Sequence, residues 1–133
     1  MQASKQDIDD VCRGHGIRLL VLFGSLAAGC ERPGSDVDLG VALDDLPRSL
    51  PERLELEAAL ESELKLDRPL HLVLLDDLNS TTLGREIYKT GKPLYDRDGQ
   101  QWGSFVCRAV REYERFQPAR RLRDKILRGE KIG

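Results

Sequence analysis

The chain has 133 residues, with 21 Lys+Arg against 23 Asp+Glu and a net charge of −2; 40% of its residues are apolar and 33% charged. That length fits one domain whose core needs no disulfide staples; no apolar run approaches the ~20 residues of a membrane span, and the polar N-terminus lacks the core of a signal peptide. Three cysteines, Cys12, Cys30 and Cys107, stand in no metal-binding spacing and point to a reducing cytoplasm. A membrane protein, a disulfide scaffold and a disordered tail are excluded.

The elements follow in chain order. Ile8 and Val11 at helical spacing predict a first helix from Ser4, as N-cap, to Arg13, with Gly14 as its stop. The run Ile17–Phe23 between Gly16 and Gly24 reads as a buried strand. Leu26-Ala27-Ala28-Gly29 predicts a short helix, and Cys30–Ser35 with Pro33-Gly34 a loop. Asp36–Leu43 is a second strand, polar at its start and then wholly apolar. Ser49 and Glu52 bracket a capping box for a helix to about Leu66, which turns Leu54, Ala58, Leu60 and Leu64 inward. Leu70–Leu75 is a third strand. Ser80 or Thr81 caps a helix carrying Leu83 and Ile87, stopped by Gly91 and Pro93, and Leu94-Tyr95 is a short edge strand. Trp102–Arg128 is one or two helices with a break at Gln117-Pro118. Trp102, Phe105, Val106, Val110, Tyr113 and Phe116 form its core-facing stripe.

The pattern is one α/β (α+β) domain spanning 1–133: a small mixed β-sheet flanked by helices, which lie mainly on one face. Its core runs from about 15 to 97 and a C-terminal helical tail from about 101 to 131. Charge divides the same way. Residues 101–133 hold nine Lys+Arg against four Asp+Glu, whereas residues 1–100 hold twelve against nineteen. A basic tail on an acidic body favours self-packing or a protein partner over nucleic acid.

Chemistry concentrates at two places. Gly24-Ser25 ends a strand and opens a short helix, where backbone amides, the helix dipole and a hydroxyl suit a phosphate. Asp36 and Asp38 alternate onto one face at the mouth of a buried strand. Two adjacent carboxylates repel unless a cation joins them, and a hard ion such as Mg²⁺ shares such ligands with substrate phosphates. His15, between two glycines, reads as a turn residue, and Cys30 as incidental.

Together these halves make a more specific pattern. Leu22-Phe23-Gly24-Ser25, Gly29 and Pro33-Gly34-Ser35-Asp36-Val37-Asp38-Leu39 resemble the signature of the DNA polymerase beta-like nucleotidyltransferases, and the short chain resembles their minimal nucleotidyltransferase (MNT) branch. The resemblance runs from about Ile17 to Asp96 and includes Gly91-Lys92-Pro93-Leu94-Tyr95. It implies the polymerase beta-like fold, with Gly24 and Ser25 holding the triphosphate of ATP or another NTP. Asp36 and Asp38 are the implied ligands of two Mg²⁺ ions, and Ser35 the residue that orients their loop. The implied reaction moves a nucleoside monophosphate, AMP from ATP, to a hydroxyl on a protein. The implied partner is a small helical HEPN toxin, which the chain neutralises as an antitoxin.

Three departures stand beside the resemblance. The family places a third carboxylate on the next core strand, where this chain has Leu70-His71-Leu72-Val73. His71 therefore takes that catalytic position, with Asp76 the first candidate if the register differs. Arginines common after the Gly-Ser pair are replaced by Leu26, Ala27 and Ala28, leaving Arg32 as a partial substitute. No separate acceptor-binding domain follows. The alternative reading is a weak or inactive transferase fold that binds and sequesters its partner.

Overall fold

A computed structural model of the chain describes residues 3–29, 35–115, 117–127 and 129. Helix α1 spans Lys5–Gly14, and its start is a reciprocal capping box. Ser4 Oγ accepts from the Asp7 amide at 3.1 Å, while the Asp7 carboxylate accepts from the Ser4 amide at 3.2 Å. Strand β1 (Ile17–Phe23), helix α2 (Gly24–Ala27) and strand β2 (Val37–Leu43) follow. Helix α3 covers Leu50–Glu63 and strand β3 Leu70–Leu74, with a 3-10 turn at Leu75–Asp77. Helix α4 (Thr81–Thr90), capped by Ser80, leads to strand β4 (Lys92–Asp96), and helices α5 (Gln101–Arg115) and α6 (Gln117–Leu127) close the order.

The four strands form one mixed sheet in the order β3-β2-β1-β4. β1 runs antiparallel to both β2 and β4, and β2 pairs parallel with β3 through the α3 crossover. β1 and β2 are central and apolar on both faces, which is why they read as unbroken runs rather than alternations.

The helices cover two faces, not mainly one. Leu20, Leu39, Val41 and Leu72 pack against α1 (Ile8, Val11, Cys12), α3 (Leu60) and its C-cap residue Leu64. On the other side Leu19, Val21, Phe23 and Val73 pack against α4 (Ile87) and α5 (Phe105, Ala109). A strand buried on both sides must find apolar cover on both, so each face recruits its own pair. Of the predicted stripe, Trp102 and Val106 join Phe105 in the second cluster, Val110 and Tyr113 are half-buried outside both clusters, and Phe116 lies outside the described residues. Burial pushes the Cys12 thiol up to about 12.

Helix α3 differs from expectation on two counts. Leu54 and Ala58 are exposed, because the leucines are spread around the helix, and Leu56, Leu60 and, just past its end, Leu64 are the ones that pack on the core. Its capping box is also shifted by one residue. Ser49 Oγ accepts from the Glu52 amide, but the Glu52 carboxylate reaches back to the Arg48 amide at 2.7 Å. No helix among the described residues is long and apolar enough to cross a membrane.

Candidate active site

Strand pairing assembles the site at one margin of the sheet. Phe23, the last residue of β1, faces Asp38 near the start of β2, and Asp38 faces His71 on β3. The Gly24-Ser25 turn, one β2 carboxylate and one β3 imidazole therefore meet, although 47 positions separate the first from the last.

Gly24 holds φ at +77°, and a Cβ built there would collide with Asp38 Oδ2. Glycine is needed twice over at this position: for the left-handed backbone and for room beside the carboxylate. Asp38 Oδ1 lies 2.9 Å from His71 Nδ1, with the Asp38 side chain 21% exposed and the imidazole 55% exposed. When Nδ1 carries the proton toward the carboxylate, Nε2 is left as an acceptor at the open side.

Asp36 directly precedes β2 and is exposed, on the same side of the chain as Asp38 by strand alternation. Ser25 and Ser35 are half-buried. Arg32 and Cys30 lie outside the described residues.

Sequence reasoning missed one residue of this margin. Thr90, at the end of α4, accepts the Gly24 amide on Oγ1 at 3.1 Å and donates its hydroxyl to the Glu86 carbonyl at 2.9 Å. The Gly24 N–H is thus committed to Thr90. The donors of the turn fall to Ser25 Oγ and to the Ser25 and Leu26 amides, whose place in the first helical turn gives them no intrahelical acceptor. A threonine before Gly-Lys-Pro carries no sequence signal for such a bond.

Asp76 belongs elsewhere. Its Oδ1 accepts from Arg18 Nη2 at 2.7 Å and its Oδ2 from the Leu43 amide at 2.8 Å, while Arg18 Nη1 donates to the Leu43 carbonyl. Leu43 ends β2 five residues beyond Asp38, about 17 Å along the strand. The structure thus puts His71, and not Asp76, beside Asp38. The lone arginine in an apolar strand was the available signal, since a half-buried guanidinium calls for a carboxylate. His15 ties the turn after α1 to Glu63 of α3, with Nε2 to Oε2 2.6 Å.

As metal ligands, the donor set is sparse. Among the described residues no group of three or more His, Cys, Asp or Glu side chains is arranged to hold an ion. Two carboxylates at one strand mouth fit a hard divalent cation only where phosphate and water oxygens complete its shell, which is the habit of Mg²⁺. An imidazole at position 71 suits that ion poorly.

Comparison with known proteins bears on the family and the fold. A family model for polymerase beta, nucleotidyltransferase, matches residues 6–100. No curated protein sequence matches significantly. Among solved structures, a chain of a toxin–antitoxin complex with AMP-PNP superposes with a TM-score of 0.76 at 27% identity, over 94% of this chain and 99% of that one. A chain from the complex of a tri-AMPylated Shewanella oneidensis HEPN toxin with its MNT antitoxin gives 0.70 at 26%, over 92% and 95%. A chain of the MntA–HepT toxin–antitoxin gives 0.70 at 26%, over 92% and 96%.

Proposed function

The chain belongs to the polymerase beta nucleotidyltransferase family, and from that premise we propose that it transfers AMP from ATP to a hydroxyl of a helical HEPN-type protein, as the antitoxin of a toxin–antitoxin pair. One observation carries the reading: the Gly24-Ser25 turn, Asp38 and His71 converge at one margin of the sheet. The matched Shewanella complex, with its tri-AMPylated toxin, supplies the acceptor class. The AMP-PNP complex supplies the nucleotide class.

In this reading Ser25 and the amides after Gly24 hold the triphosphate, and Thr90 fixes the backbone that presents them. Asp36 and Asp38 hold Mg²⁺, which when bound neutralises phosphate charge and orients the leaving group. The acceptor oxygen attacks the α-phosphorus, the bond to the β-phosphate bridging oxygen breaks, and pyrophosphate leaves. His71 Nε2 takes the acceptor proton, with Asp38 holding the ring by Nδ1 and stabilising the charge it acquires. The substitution of imidazole for a third carboxylate also supports the second reading, a chain that chiefly binds its partner.

Labelled ATP, Mg²⁺ and the product of the neighbouring gene, tested as the HEPN-type acceptor, separate the two. Label on that protein, lost with Asp36→Ala/Asp38→Ala, is the expected result. Equal binding by both forms with no label from any nucleotide overturns the transferase reading and leaves sequestration.

A further inference from the structure

Two apolar stripes stay uncovered, and they lie on helices of opposite charge. On α3, Leu50 and Leu54 are 66% and 53% exposed and sit one helical turn apart, with Leu46 exposed just before the helix. On α6, Leu122 and Ile126 are 45% and 57% exposed, again one turn apart. Helix α3 carries five Glu against Arg53, and α6 carries four Lys+Arg against Asp124. Beside the stripes Glu55 and Glu61 are exposed on α3, as are Arg121, Arg123 and Lys125 on α6. Within one molecule α6 meets α5 where the two helices join, and its own stripe is open.

We infer that α6 of one chain docks on the α3 stripe of a second copy, and that the exchange is reciprocal. Both halves of the match, apolar spacing and opposite charge, are present on this one chain, so a second copy supplies each with its complement. A reciprocal exchange makes a closed two-fold dimer in which each contact occurs twice. That doubling matters, because a single contact along an eleven-residue helix, about 16 Å long, falls short of a standard interface. The charges select the partner surface and the leucines supply the buried area. The arrangement is independent of nucleotide transfer and leaves the Asp38 margin to its own chemistry.

The test is sedimentation velocity on the full chain without partner or nucleotide, from ~1 to ~200 µM, the range in which a modest interface titrates. A concentration-dependent dimer is expected. Glu55→Arg and Arg123→Glu, both on exposed sites, each weaken it by about tenfold or more, with circular dichroism confirming an unchanged fold. Mixing the two variants restores the dimer, because each altered α6 then meets an altered α3. A chain that stays monomeric throughout the range overturns the inference. So does a dimer indifferent to both substitutions, or a mixture that fails to recover. Capture of the α6 stripe by the HEPN-type protein, with no self-association, assigns the stripe to that partner and also overturns it.

Discussion

Gly24→Ala tests whether the turn and the carboxylate are one site, and Gly29→Ala supplies its control. The two glycines have nearly the same backbone, with φ of +77° and +74°. An L side chain in that region costs about 1–2 kcal/mol. At Gly29 a Cβ meets nothing within 4 Å, so this strain is the whole effect. At Gly24 the added carbon overlaps Asp38 Oδ2, with Cγ only 3.1 Å away. The carboxylate must then swing from His71 and lose a partly exposed charged contact, for about 1 kcal/mol more. For a domain of this size the melting temperature should fall by about 5 °C for Gly29→Ala and about 10 °C for Gly24→Ala. Activity should separate further. A shift of about 1 Å in Asp38 lowers transfer by roughly 100-fold, while Gly29→Ala keeps the parental rate per folded molecule. Thermal melts by circular dichroism and label transfer to the partner measure both. Equal melting losses with equal rates would refute the argument, since the collision with Asp38 would then have no consequence.

Three further outcomes are expected. Asp76→Ala strands the Arg18 guanidinium and the Leu43 amide and should cost about 3 kcal/mol in denaturant unfolding, with the rate per folded molecule unchanged; lost activity at full stability would place Asp76 in the cleft. Arg97 donates twice to Asp44, at 3.0 and 2.6 Å, and holds that carboxylate below its ordinary 3.8. The contribution is present above that value and lost as pH falls through the native one, so the melting difference between the parent and Asp44→Asn should close on acidification; a gap constant from neutral to acid pH contradicts the pairing. In a Cys30→Ser background, the exposed Cys107 should react with a thiol reagent in the folded chain, and Cys12 only on unfolding. A second thiol reacting at the Cys107 rate would show that Cys12 is not sealed.

The strands were legible because glycines and polar residues punctuate them: Gly16 and Gly24 bound β1, and the two aspartates mark where β2 goes under. The first helix was legible from Ser4, Asp7 and two apolar residues at one spacing. The side of the sheet each helix takes was not, since β1 and β2 are apolar at nearly every position and point nowhere in particular. Leu54 misled for a related reason, because a helix with leucine on several faces gives no direction. At the site, the Gly-Ser and Asp-x-Asp pattern marked the turn and the carboxylates. The contact of Asp38 with His71 needed only the correct parallel register. The Thr90 bond to Gly24 was out of reach, because it depends on where α4 ends in space and on no feature of its sequence.

β3 is a border strand, and among the described residues no further strand lies on its outward flank. An imidazole on such a strand works at a threshold rather than in a chamber. An acceptor can present a tail or loop sideways without being engulfed, which suits a large substrate that offers one hydroxyl at a time. The same openness admits water, a competing acceptor. On the proposed reading, the docked protein must therefore act as the missing wall as well as the recipient, and the isolated chain should turn over nucleotide wastefully or hardly at all.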